Sequence, residues 1–278
     1  MSGTLFVVAT PIGNLEDLTP RARQTLATVD LIAAEDTRHT LRLLSNIGSK
    51  PALTALHDHN EERALHGIIE TLKDGKDVAL VSDAGTPLVS DPGFRLVRAA
   101  HANGIVVVPL PGPSAVTAAL SVAGLPTDRF CFEGFAPQKQ AARRDWLQQL
   151  ASETRTLVIY ESVHRIGACL ADMVDAFGAD RQAFIGRELT KLHEQCVQDT
   201  LGELRRLVET GDITGKGEFV IVVSGAPAAA ASSLDSDRLL IELSASLSAK
   251  DAARIAANVT GEKKNALYER LLQLKEQQ

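Results

Sequence analysis

Between Leu5 and Val122, short apolar runs alternate with longer segments of helical period, and that rhythm restricts the fold more than any other feature. The runs are Leu5–Ala9, Leu31–Ala34, Leu53–Leu56, Val78–Val81 and Ile105–Val108. Each is too short for a helix and is bounded by charge or turn residues, so each reads as a buried strand. The intervening segments carry helix signals: Thr19-Pro20 and Asn60 as starts, Gly48 and Gly75 as stops. Asp91-Pro92-Gly93 reads as another start, with Asp91 as N-cap and Pro92 at the first helical position. Regular alternation of strand and helix predicts a parallel sheet with right-handed crossovers.

The stretch Val78–Phe94, VALVSDAGTPLVSDPGF, organises this half. Its strand empties into Ser82-Asp83-Ala84-Gly85-Thr86-Pro87, a loop of small residues with one carboxylate. Ligands of open α/β sheets bind at the carboxyl ends of strands, where small side chains leave the backbone open. A plain strand-to-helix turn needs no loop of this length. Thr10–Leu15, Glu35–Arg38, Pro111–Ala115, Glu161–Arg165 and Arg187–Lys191 also follow apolar runs. The neighbours Glu35/Arg38, Glu161/Arg165 and Glu188/Arg187 read either as site residues or as ion pairs that shape these loops.

Gly124-Leu125-Pro126-Thr127 reads as a hinge. Beyond it Phe130–Phe135, Thr156–Tyr160, Ala183–Gly186 and Gly217–Val223 read as strands, with helices over Ala141–Leu150 and up to Phe177. Ala226–Ser233 is a small-residue spacer, followed by helical segments at Leu239–Leu247, Ala249–Val259 and Lys264–Leu274. The expected organisation is an α/β domain over residues 1–124, a second α/β domain over 125–227 and a small helical domain over 234–278.

Several function classes lack their motifs. There is no GxxxxGK[ST] loop, no GxSxG, no HExxH, and no GxGxxG after the first strand. His57-Asp58-His59 offers two imidazoles without a third ligand in view, so it reads as loop surface and no metal is expected. No apolar run reaches the roughly 18 residues of a membrane span. With no basic leader and three scattered cysteines, the chain reads as cytoplasmic. The net charge of −6 means that any nucleic-acid contact must use a local basic patch.

The segments TPIGNLEDLTPRA, AEDTR, SDAGTPLVSDPG, PGPSA, FEGF, YESVHR, RELTK, HE and KGEF occur in order from about Leu5 to Val223. Together they resemble the ribosomal RNA small subunit methyltransferase I branch of the tetrapyrrole methylase superfamily. The tail LSAKDAARIAANVTGEKKNALYERLL resembles the small C-terminal helical domain of that branch. Where the superfamily often has a GDP turn, this chain has Ser82-Asp83-Ala84, keeping the aspartate without the proline. The resemblance implies a two-domain α/β fold with S-adenosylmethionine in the cleft between the domains, and a homodimer. It implies 2′-O-methylation of a cytidine ribose in the decoding region of 16S rRNA, in the small ribosomal subunit. By position it places the cofactor against Pro11, Asp83, Thr86, Ser114, Ala115, Tyr160, Arg187 and Glu218. Relatives of the fold methylate corrin precursors or the diphthamide precursor.

Methyl transfer from a sulfonium is an in-line displacement, needing positioning and an acceptor for the hydroxyl proton. Glu35, Asp36, Glu161 and Glu188 are the available acceptors, and the sequence does not choose among them. Arg38, Arg165, Arg187 and Lys191 could hold rRNA phosphates, as could Lys263 and Lys264 in the tail. Two other readings compete: a same-fold enzyme acting on a tetrapyrrole precursor, and a non-catalytic rRNA-binding module.

Overall fold

A computed structural model describes residues 2–48, 50–57, 60–227 and 233–276. Asp58, His59 and most of the Ala226–Ser233 spacer lie outside the described residues. Residues Met1–Gly225 form one compact unit and Ala226–Gln278 a second.

The first half of the larger unit runs β1 (Thr4–Val8), α1 (Pro20–Thr28), β2 (Leu31–Ala34), α2 (Thr37–Ile47), β3 (Ala52–Ala55), α3 (Glu61–Lys73), β4 (Val78–Val81), α4 (Phe94–Ala102), β5 (Val106–Leu110) and α5 (Ala115–Val122). Its strands form a sheet in the order β3-β2-β4-β1-β5, every pairing parallel. Strand β4 is central, and all four of its residues are buried. Val78 and Leu80 pack with Ile68, Leu72 and Leu96 from α3 and α4. Ala79 and Val81 face the other way and pack with Ala22, Leu26 and Leu44 from α1 and α2. Helices on both faces explain why β4 is apolar throughout instead of alternating.

Two helix starts differ from the sequence reading. Helix α4 begins at Phe94 with Gly93 at the cap position (φ 121), so Asp91 does not cap it and Pro92 lies outside it. Asn60 does occupy the cap position of α3 but makes no capping bond. Its side chain turns back to accept from His57 N at 2.9 Å and donate to Ala55 O at 3.0 Å.

The second half runs β6 (Phe130–Phe135), α6 (Gln140–Leu150), β7 (Thr156–Ser162), α7 (Ile166–Phe177), β8 (Gln182–Arg187), β9 (Gln195–Thr200), α8 (Leu201–Thr210) and β10 (Glu218–Val223). The sheet order is β6-β7-β10-β8-β9. Only β6 and β7 pair in parallel; the other pairings are antiparallel. The sequence reading passes over β9 and α8. Helix α5 presents Val116, Ala119, Leu120 and the following Ala123 to Val158, Phe184, Val220 and Val222 of this second sheet.

The smaller unit has helices α9 (Ser233–Ser244), α10 (Ala249–Thr260) and α11 (Lys264–Glu276) around Leu240, Ala252, Ala253, Ala256, Leu267 and Leu271. Ser248 caps α10 by accepting from Asp251 N at 3.2 Å, and Gly261 ends it in the left-handed conformation (φ 76).

Candidate active site

The loops at the carboxyl ends of the first sheet are tied to one another. Thr10, just after β1, exchanges both backbone hydrogen bonds with Gly85, just after β4, at 2.9 and 3.0 Å. The loops after β2 and β4 hold each other reciprocally. Asp83 N donates to Glu35 Oε2 at 3.2 Å, and Asp36 N donates to Asp83 Oδ1 at 3.0 Å. Thr86 Oγ1 donates to Pro113 O at 3.0 Å, joining the loop before α5. Gly112 in that loop lies so near β1 that an added Cβ would stand 3.0 Å from the Ala9 Cβ. Ser114 occupies the cap position of α5, yet its hydroxyl makes no capping bond, and Ala115 opens the helix. Pro11, Asp83, Thr10, Ser82, Thr40 and Arg42 line a cavity of about 120 Å³. Ile12, Asp17, Gly112, Pro113, Ser114 and Thr190 line part of a wider, open groove.

Asp36 caps α2, accepting from Arg38 N at 2.8 Å and from the Arg38 guanidinium at 2.6 Å. Arg38 therefore pairs with Asp36. Those bonds hold the Asp36 carboxyl far below the usual carboxylate range.

At the ends of the second sheet most of the charged candidates have structural partners. Arg187 is buried; it donates to Lys216 O, to His193 O at 2.7 Å and to Gln195 Oε1 at 3.1 Å. It thereby closes the loop between β8 and β9. Glu188 pairs with Lys191 at 2.9 Å, not with Arg187, and accepts from Glu218 N at 2.9 Å. Its side chain lies against Gly217, where an added Cβ would come within 2.5 Å of it. Burial works to raise the Glu188 pKa, but the bonds from Lys191 and Glu218 N overcome it and hold the carboxyl below its ordinary range. Lys191 also reaches Glu218 Oε2 at 2.8 Å. Its stem crosses to the first half, where an added Cβ on Gly13 would stand 2.3 Å from Lys191 Cγ. Glu161 is buried; Oε1 accepts from Ser162 N and from Arg165, both at 2.7 Å, while Oε2 has no partner among the described residues. Arg165 further donates to Ser162 Oγ at 3.1 Å and Ala136 O at 3.2 Å.

Tyr160 packs edge-on against Phe132 and Phe135, with ring centroids 4.9 and 5.4 Å away. Burial, with the charge of Asp91, pushes its phenol up to about 12, so it stays protonated. Asp91, read from the sequence as a helix cap, lies outside α4. It is half-buried, and desolvation pushes its carboxyl up to about 6, against the pull of a Ser82 hydrogen bond; the charges of Glu35 and Asp83 add to the rise. Gly93 was the available signal, because glycine weakens a first helical turn and suits the φ of 121° it has here.

Two α/β halves, each built on a five-stranded sheet and packed together through α5, with small-residue loops at the strand ends of the first, define the class. Residues 4–205 match the family model of the tetrapyrrole (corrin/porphyrin) methylases, and the chain belongs to that family. Residues 230–275 match the model described as the RsmI C-terminal HTH domain. The same fold recurs in a solved diphthine synthase, with a TM-score of 0.58 at 16% identity, covering 80% of this chain and 90% of that one. It recurs also in uroporphyrin-III-C-methyltransferase from Thermus thermophilus, with a TM-score of 0.55 at 18% identity, covering 80% and 94%.

Within the family the chain falls among the proteins called ribosomal RNA small subunit methyltransferase I. It is 53% identical to that protein of Xylella fastidiosa (96% of this chain, 98% of the relative). Identity is 52% to that of Pseudomonas aeruginosa (98% of each) and 50% to that of Escherichia coli O157:H7 (98% and 95%).

Proposed function

We propose that this chain methylates small-subunit ribosomal RNA, transferring the methyl group of S-adenosylmethionine to the 2′-oxygen of a cytidine in the decoding region of 16S rRNA. The observation that carries this reading is the identity of about half, over nearly the whole length, to proteins named for that RNA. The reading includes a homodimer acting in the cytoplasm, for which a dimer mass by light scattering is the check.

The residues present suit the cofactor. The loop before α5 leaves backbone exposed at Gly112, and Asp83 and Thr86 are partly exposed in the loop after β4. The uncapping Ser114 hydroxyl at the start of α5 is available to a polar ligand group. Tyr160, backed by Phe132 and Phe135, offers an aromatic wall from the second sheet. When bound, S-adenosylmethionine supplies a methyl carbon made electrophilic by its sulfonium. The chain's part is to hold donor and hydroxyl in line, exclude water and accept a proton. The smaller unit is the RNA anchor in this reading, with Lys263 and Lys264 exposed at the turn into α11.

The test is labelled-methyl incorporation into under-methylated small subunits, followed by nuclease digestion and identification of 2′-O-methylcytidine. Incorporation into uroporphyrinogen or precorrin instead would replace the substrate. Titration with S-adenosylmethionine should give binding that Asp83→Ala weakens while the far-ultraviolet spectrum stays native. Unchanged affinity in that variant would remove the strand-end loops as the cofactor site.

A further inference from the structure

Helices α1 and α2 cover one face of the first sheet and pack on each other. Between them they carry Arg21, Arg23, Arg38, Arg42 and His39, all exposed, and neither helix contains a carboxylate. Arg38 is taken by Asp36, the cap of α2, whereas among the described residues no ion pair engages Arg21, Arg23 or Arg42. The helices on the other face bring their own carboxylates. Arg95 of α4 pairs with Glu61 and Glu62 of α3 at 3.6 and 2.6 Å, and Lys73 pairs with Glu70 at 3.0 Å. In a chain of net charge −6, the layer of α1 and α2 therefore presents unbalanced positive charge.

That charge is continuous with the candidate site. His39, Arg42, Leu43 and Asn46 lie three and four residues apart and so share one side of α2. That side lines the cavity of about 120 Å³, together with Pro11, Ser82 and Asp83 of the strand-end loops. The cavity is well below the roughly 300 Å³ of a whole small-molecule site, so it takes one group of a larger ligand. Asp83 is the carboxylate on its lining, and Oδ1 of that group already accepts from the Asp36 amide at 3.0 Å. Arg42, His39 and Asn46 bring a guanidinium, an imidazole and an amide, donors of the kind that hold phosphate oxygens.

We propose that this side of α2 is the docking surface for the substrate RNA strand beside the acceptor nucleotide, with Arg42 holding one of its phosphates; the proposal rests on the function proposed above. A cavity that admits a single group suits a strand laid along the helix, which offers its phosphates one at a time. Such a contact binds the strand without reading its sequence. The arginines of α1 add to the attraction without a required contact, because unpaired surface charge raises the local concentration of an anionic partner.

The experiment measures binding of under-methylated small subunits by filter retention across a salt series, for wild type, Arg42→Gln, Arg42→Lys and Arg98→Gln. Arg42 is exposed, so its variants should keep the native melting temperature. Glutamine should weaken subunit binding about tenfold, the loss of one charge-assisted hydrogen bond. It should also reduce the slope of log affinity against log salt by about 0.7, the share of one phosphate on a single strand. Lysine keeps the charge and should restore the slope with part of the affinity. Arg98 lies on α4, over the Phe94 ring on the opposite helix layer, so Arg98→Gln removes the same charge and should change neither. Affinity for S-adenosylmethionine should match wild type in all three. Wild-type affinity and slope in Arg42→Gln would overturn the proposal. So would weaker binding with the slope unchanged, which marks a contact other than phosphate, or the same change in Arg98→Gln, which marks net charge alone. An equal loss of S-adenosylmethionine affinity would overturn it too, marking a cofactor contact. A wild type that neither binds nor methylates subunits refutes the function reading itself, a result distinct from a variant that matches an active wild type.

Discussion

Asp172 shows how much one side chain carries in the second half. It is fully buried on α7 and accepts from Arg143 at 2.6 Å, Arg144 at 2.7 Å and Gln140 at 3.2 Å, so α6 and α7 share one polar contact inside an apolar layer. Burial works to raise its pKa, but the bonds from Arg144, Arg143 and Gln140 overcome that and hold it below the usual carboxylate range. Asp172→Ala leaves the Arg143 guanidinium buried without its anion and should cost about 3 to 5 kcal/mol in chemical denaturation. The sign with pH follows from the lowered pKa: this stabilisation is present above the unfolded value of 3.8 and is lost as pH falls through the folded one. The gap between wild type and variant should therefore narrow in acid.

At the scale of elements, the segment from Leu88 to Gly93 stores backbone strain between the halves. Ser90→Gly should remove the left-handed penalty without touching the core and raise stability by up to about 1 kcal/mol, measured by thermal denaturation. Ser90→Val should lower it, since a β-branched residue tolerates that φ least. What was legible here follows from burial. The strands of the first sheet read clearly because both faces are covered, which makes β4 wholly apolar. Strand β9 did not read, because Gln195–Thr200 is an edge strand with polar residues and no fully buried position. The loops were found because small residues after apolar runs are a local signal. Their mutual bonds were not, because Glu35 and Asp83 lie 48 residues apart and nothing local announces the pairing. Asp91 was misread for the same reason: whether an aspartate before Pro-Gly caps a helix depends on where that helix starts.

For the whole molecule, the chain divides into a large unit and a small one, and the proposed function gives them separate tasks. Arg254 and Arg270 of the small unit pair with Asp251 at 3.5 Å and Asp237 at 2.6 Å, whereas no ion pair engages Lys263 or Lys264 among the described residues. Replacing both lysines by Glu should raise KM for the small subunit and flatten its salt dependence, leaving S-adenosylmethionine affinity unchanged. Unaltered kinetics across a salt series would place the anchor elsewhere.

Helix α5 has a consequence for how such a protein can be taken apart. It follows the last strand of the first sheet in the chain, but its apolar stripe is covered by the second sheet. A cut after Val122 would strip Val116 and Leu120 of their cover, exposing side chains whose burial is worth about 1.5 to 3 kcal/mol each. The other piece would present Val158, Phe184 and Val222 to water. Neither fragment is then a free-standing module, and shuffling one half between relatives would have to carry a matched helix with it. The seam runs through packed side chains, so each half relies on the other for part of its burial.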